Sequence, residues 1–149
     1  MDRIVELERG RRATGIKNVT LSEDFLADHF PEQPVMPGVM IAEAMAQLAD
    51  WVVREGSDFR CVGVVSSYDR LRFRNFVVPG DQLRLEVEIT GQDASEATVK
   101  GKAYREGQVV TSAEFTLALR EAEPAMVAQS THHFGVIRPH RNGEKPIEV

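Results

Sequence analysis

The chain has 149 residues, 42% of them hydrophobic and 28% charged, which suits one domain with its own buried core and is too apolar for a disordered segment. Its formal net charge of −5 excludes a surface built to coat nucleic acid. The single cysteine, Cys61, excludes an internal disulfide and a multi-cysteine zinc site, and it fits a reducing compartment.

The opening MDRIVELERGRR sets charges among its apolar residues and so lacks the continuous core of a secretory signal. The longest apolar run, Val35 to Val53, is broken by Glu43, Gln47 and Asp50, so no membrane span is expected. The expectation is a soluble, cytoplasmic domain. Ile4, Val5 and Leu7 lie among charges, and Ala13, Ile16 and Val19 follow a turn at Gly10; both stretches predict strands. From Ser22 to Gly38 the alternation stops, and Pro31, Pro34 and Pro37 recur every third residue. Each proline fixes its own φ and restricts the residue before it, which predicts a stiff, non-helical loop.

Gly38 to Arg54 predicts the one long helix, with Pro37 at its start and Gly56 as a left-handed cap after its last turn. Its near-uniform apolarity predicts burial on all sides. Strands are then expected over 61–67 and 69–78, the second alternating Arg70, Arg72 and Arg74 with Leu71 and Phe73. Pro79-Gly80 signals a type II turn. Leu83, Leu85, Val87 and Ile89 alternate with polar residues, and 96–104 with 108–119 predict a hairpin around Arg105-Glu106-Gly107-Gln108. The pattern is α+β: a single domain over residues 1–120, with about six antiparallel strands wrapped around one helix. Residues 121–149 have no sustained period and predict a mostly irregular C-terminal extension.

Glu43 is the first chemical clue, because Met40, Ile41, Ala42, Ala44, Met45 and Ala46 around it are apolar. Two readings stand: a desolvated carboxyl able to act as a general acid, oriented by Gln47 one turn on, or a member of a narrow exposed stripe with Gln47, Asp50 and Arg54. His29 is either a proton carrier near neutral pH or a loop histidine without a role. Its loop leads into the helix start at Gly38, whose backbone N–H groups and dipole make an oxyanion site. A histidine, a carboxyl and such a donor pole suffice for proton abstraction beside a thioester carbonyl. Arg70, Arg72 and Arg74 share one strand face, which suits either docking of an acidic carrier or ordinary solvation.

The run His29-Phe30-Pro31-Glu32-Gln33-Pro34-Val35-Met36-Pro37-Gly38-Val39, continued by Glu43-Ala44-Met45-Ala46-Gln47, resembles the signature of the FabZ-type 3-hydroxyacyl-[acyl-carrier-protein] dehydratases. Asn18-Val19-Thr20 and Phe73-Arg74-Asn75-Phe76-Val77-Val78-Pro79-Gly80-Asp81 extend the likeness, which covers roughly residues 3–120. It implies a hotdog fold, a homodimer with active sites shared between subunits, and three such dimers in a hexamer. The implied reaction removes water from a (3R)-hydroxyacyl thioester to give the trans-2-enoyl product. His29 would take the proton next to the carbonyl, and Glu43, positioned by Gln47, would protonate the leaving 3-hydroxyl. Gly38, Val39 and Gln47 belong to the implied oxyanion and substrate-binding set; beside the resemblance, Arg70, Arg72 and Arg74 are candidates for docking of acyl carrier protein, and Tyr68 is either a tunnel gate or, the stronger reading, an ordinary strand aromatic. No metal or other cofactor is implied, since the substrate brings its own phosphopantetheine.

Departures from the family pattern are local. Glu32-Gln33 stands where relatives commonly carry Gly-His, Asp28 replaces the usual Gly before His29, and the tail is longer than usual. They point to a specialised member with an unusual acyl chain or carrier. His132, His133 and His140 have no cysteine or acidic cluster beside them and do not predict a metal site. Two other readings stay open on the sequence: a hotdog thioesterase and a catalytically idle partner subunit.

Overall fold

A computed structural model describes residues 1–27, 29 and 32–138. In chain order the elements are β1 (Arg3–Glu8), β2 (Arg12–Asn18), a short 3-10 turn (Asp24–Leu26), α1 (Gly38–Gly56), β3 (Cys61–Phe73), β4 (Gln82–Gln92), β5 (Glu96–Arg105), β6 (Gln108–Glu121) and α2 (Pro124–Ile137). The strands form one antiparallel sheet in the order β1-β2-β4-β5-β6-β3. α1 lies against its inner face, which is the hotdog arrangement.

Period-two patterning explains the sheet. Leu83, Leu85 and Val87 of β4, Ala97, Val99 and Ala103 of β5, and Ala113, Phe115 and Leu117 of β6 are all buried inward. β5 is small-residued on this face, so the helix comes close; a Cβ added to Gly101 would stand 3.0 Å from the Met45 sulfur. The outer face carries charges of alternating sign in register across five strands: Arg12, Glu88, Lys100, Glu114 and Arg70. Opposite charges directly across a ladder are mutually stabilising. Val78-Pro79-Gly80-Asp81 forms the expected type II turn, with Gly80 at φ 96° and the Asp81 amide donating to the Val78 carbonyl at 3.1 Å.

Four expectations are corrected. Residues 61–78 are not two strands but one, β3, ending at Phe73, and bulges between Val65 and Ser67 and between Tyr68 and Arg70 re-phase it. Arg74 therefore lies past the strand. α1 is not buried all round: Ile41, Met45, Leu48, Ala49 and Val52 face the sheet, whereas Val39, Met40, Glu43 and Gln47 are exposed. Gly56 is not a cap but the last helical residue; a Cβ there would lie 2.8 Å from the Gly10 Cα, and Asp58 and Phe59 take the left-handed conformation instead.

The fourth correction concerns the extension. Residues 121–149 are not mostly irregular in their described part, because α2 occupies Pro124–Ile137, with Pro124 in its first turn. The helix docks on the C-terminal half of α1: the Phe134 ring lies 5.9 Å from Trp51 and 5.5 Å from Phe59, and His133 meets Trp51 edge-on at 5.4 Å. Arg54 stacks over Trp51 and donates to the Ser130 hydroxyl at 2.7 Å. The anchors are aromatic residues on other elements, so α2 has no regular apolar stripe of its own for the sequence to reveal. His140 and the rest of 139–149 lie outside the described residues. Among the described residues no helix is long and apolar enough to cross a membrane.

Trp51 is the chain's one tryptophan, so its fluorescence reports directly on α2. Phe134→Ala is expected to lower unfolding stability by about 1–3 kcal/mol, less than for a fully buried phenylalanine. A urea titration followed by tryptophan emission checks this, and the native spectrum should shift to the red.

Candidate functional site

His29 is half-buried and tied to Val35 twice. Its Nδ1 lies 2.9 Å from the Val35 carbonyl oxygen, and the Val35 amide donates to the His29 carbonyl at 2.9 Å. A carbonyl oxygen only accepts, so Nδ1 carries the proton and Nε2 is the basic nitrogen of the neutral ring. Val35 is followed by Met36 and Pro37 and then by the helix start, so this pair of bonds sets the ring relative to α1. Asp28, Phe30 and Pro31 lie outside the described residues.

Glu43 and Gln47 stand one helical turn apart, and the Gln47 amide donates to the Glu43 carboxylate at 3.1 Å. The other end of the Gln47 amide accepts from the Met1 amine at 2.9 Å. Burial pushes the Tyr68 hydroxyl above its ordinary value, and the negative charge of Glu43 adds to the effect. In the single chain Glu43 and Gln47 are exposed, whereas Asp50 and Arg54, further along α1, are largely buried. Tyr68 itself is 38% exposed and packs on Phe115, with ring centroids 5.5 Å apart.

At the head of α1 the N-cap Pro37 makes no side-chain cap bond. Gly38 is packed under the Phe73 ring so closely that a Cβ would come within 2.5 Å of it. Val39 is 63% exposed and Phe73 51% exposed, so the helix pole is framed by apolar side chains that the chain's own core does not cover. Phe73 is the site residue the sequence reading missed; the signal was a glycine at the first position of a helix otherwise free of them until Gly56.

Asp50 does more than continue the polar face of α1, because its carboxylate ties the helix to β3. One carboxylate oxygen accepts the Gly63 amide of β3 at 2.7 Å, and the other accepts Arg54 Nε at 2.7 Å. Burial nevertheless pushes its pKa up, outweighing both bonds, and Glu43 contributes in the same direction. The three arginines do not behave alike. Arg70 pairs with Glu114 at 3.6 Å and shares with Arg72 an outer-face groove of about 230 Å³ that also holds Lys100 and Lys102. Arg74, beyond β3, donates its backbone amide to Val110 at 2.8 Å and is not part of that groove. Among the described residues no group of three or more His, Cys, Asp and Glu could hold a metal ion.

A model of the FabA-like domain family matches residues 1–114, ending before α2 begins. The chain is 48% identical over 120 residues to a 3-hydroxyacyl-[acyl-carrier-protein] dehydratase FabZ of Geobacillus thermodenitrificans, covering 80% of this chain and 83% of that one. It is 47% identical over 124 residues to the FabZ of Geotalea uraniireducens, covering 81% and 86%. Among solved structures, smu.793 of Streptococcus mutans bound to acetyl CoA aligns with a TM-score of 0.65 at 15% identity, over 83% of this chain and 91% of that one. The dehydratase heterocomplex ApeI:P of Xenorhabdus doucetiae aligns with a TM-score of 0.59 at 19% identity, over 79% and 98%. These two structural likenesses speak for the fold.

The raised pKa of Asp50 has a stability consequence whose sign is fixed. The folded state binds this proton more tightly than the unfolded state, so the stabilisation it brings is fully present below the ordinary value of 3.8 and is lost as pH rises through the raised folded value. Lowering the pH from about 7 toward about 4 should therefore stabilise the wild type relative to Asp50→Asn. Urea midpoints of both proteins across that range check it.

Proposed function

This chain belongs to the FabA-like family of FabZ-type dehydratases, and from that membership we propose that it removes water from (3R)-hydroxyacyl thioesters on acyl carrier protein to give trans-2-enoyl thioesters in fatty-acid synthesis. The observation that supports the assignment of parts is the hydrogen bond from His29 Nδ1 to the Val35 carbonyl, which makes Nε2 the ring's basic nitrogen. Nε2 takes the proton from the carbon next to the thioester carbonyl. The electron pair of that C–H bond becomes the new C2–C3 double bond, and the C3–O bond breaks. Glu43, held by Gln47, gives its proton to the departing oxygen, so the leaving group is water. As charge builds on the thioester oxygen, the Gly38 and Val39 amides at the α1 pole stabilise it. Proton exchange with solvent then resets His29 and Glu43.

A general acid works best in a site closed to water, yet Glu43 is exposed in the single chain. We infer that a second copy covers it, in a homodimer whose sites take His29 from one subunit and Glu43 from the other. Val39, Met40, Phe73 and Phe76, the last 72% exposed, present the kind of apolar patch that marks such an interface. Three dimers joined in a hexamer is the further assembly that the family resemblance implies. Every step uses side chains and backbone amides, so the mechanism calls for no metal or redox cofactor. The carrier's phosphopantetheine arm brings the substrate, and Arg70 and Arg72 are the docking cations that this reading favours, with Arg74 beyond them. In this reading Tyr68, half-exposed on β3 and packed on Phe115, would gate the tunnel. The lone Cys61 supports a cytoplasmic setting.

A thioesterase would instead release free acid and thiol, and an idle partner subunit would lack one of the two acid–base groups; neither is favoured here. His29→Ala and Glu43→Gln should each lower kcat by about 10²–10⁴-fold while leaving the protein folded. Mass spectrometry of 3-hydroxyacyl-carrier substrates of several chain lengths checks this: the wild type yields the enoyl product 18 Da lighter, a loss of about one water. Release of free thiol in its place would contradict the assignment.

A further inference from the structure

At the corner of the β5–β6 hairpin lies an ion pair that none of the catalytic steps uses. Arg105, the last residue of β5, reaches Asp81 at 3.2 Å and donates through the same nitrogen to the Phe76 carbonyl at 2.8 Å. Asp81 accepts the Val78 amide on the oxygen that faces Arg105, at 2.9 Å. Together these bonds fix both peptides flanking Val77. The Val77 carbonyl in turn accepts the Met36 amide at 2.8 Å. Met36 follows Val35, which is bonded to His29 through both the imidazole and the backbone. The far side of the turn is anchored as well: the Gly80 amide donates to the Val19 carbonyl and the Val19 amide donates to the Asp81 carbonyl, at 2.8 and 3.0 Å.

We propose that the Arg105–Asp81 pair is a positioning device for His29, acting through Phe76, Val77, Met36 and Val35. This rests on the reading of His29 as the base. The pair is mostly shielded from solvent, with side chains 30% and 20% exposed, and Val77 is buried, so the path from it to Val35 is packed rather than loose. The path is made of backbone bonds, each setting the peptide plane that makes the next. Losing the guanidinium releases the Phe76 carbonyl and leaves Asp81 to hold the turn alone. The Met36 strap then shifts, and with it the Val35 carbonyl that selects the His29 tautomer. Displacing a catalytic base by a fraction of an ångström lowers the chemical step far more than it lowers binding.

The test compares the wild type with Arg105→Ala, Arg105→Lys and Asp81→Asn, with Arg11→Ala as a control in an exposed turn away from the path. Two readouts are taken: steady-state kinetics on a 3-hydroxyacyl-carrier substrate, and 15N-histidine spectra in which His29 is identified by its loss in His29→Ala. Arg105→Ala is expected to lower kcat about tenfold or more with KM within about twofold, and to move the His29 signals from the Nδ1-protonated pattern toward a tautomer mixture. Arg105→Lys should recover part of both, since its ammonium can still donate to Phe76 or Asp81, and Asp81→Asn should fall between. Wild-type kcat together with an unchanged His29 spectrum in a folded Arg105→Ala overturns the proposal. If Arg105→Ala does not fold, the same two results in Asp81→Asn overturn it. A wild type that dehydrates nothing overturns the functional reading instead, and the spectra still decide whether Arg105 governs the His29 tautomer.

Discussion

Everything in this structure depends on how one helix fills the concave face of one sheet. α1 buries Ile41, Met45, Leu48, Ala49 and Val52 against strands whose inward residues are small where the helix comes nearest. A helix has a full circumference, and a sheet can wrap only part of it. The rest of α1 must be covered by something else or left to water. Its C-terminal half is covered by α2 through Trp51 and Phe134, and its N-terminal half carries Glu43 and Gln47 among exposed Val39 and Met40. The uncovered part of the packing problem is thus also the part to which the proposed mechanism assigns its general acid.

Local backbone geometry supplies the rest of the site. His29 needs no carboxylate to fix its tautomer, because the loop closes on itself and offers the Val35 carbonyl. Pro37 leaves the start of α1 uncapped by a side chain and Gly38 keeps it clear of a Cβ, so the proposed oxyanion site would draw on backbone amides alone. A loop braced by prolines and a glycine pressed under Phe73 therefore express one requirement, that backbone amides and an imidazole hold their places before substrate arrives.

Much of this was legible in the sequence where one periodicity governs a segment. The alternation of Leu83, Leu85 and Val87, the Pro79-Gly80 turn and the Glu106-Gly107 hairpin corner obey local rules, and the structure follows them. The failures come where a distant partner decides. The bulges that make β3 one strand depend on its register with β6, and α2 depends on Trp51, Phe59 and Arg54, which lie over seventy residues earlier in the chain. Glu43 illustrates the point at the site itself: its apolar neighbours left both burial and exposure open, and in the folded chain Ile41, Ala44 and Met45 are buried while Met40 and Glu43 are exposed. Gln47 as its partner was readable from a spacing of four, whereas the closeness of Phe73 to Gly38 required the folded chain.

The most direct test of a site completed by a second copy is to mix His29→Ala with Glu43→Gln, dissociate the subunits and let them reassociate at random. Each variant alone is expected to keep only residual activity. With His29 and Glu43 contributed by different subunits, half of the mixed dimers are hybrids, and each hybrid holds one intact pair. The mixture should then recover about a quarter of the wild-type dehydratase activity. A mixture that forms hybrids and stays at the residual level of the parents would place both residues in the same subunit's site and contradict the shared arrangement.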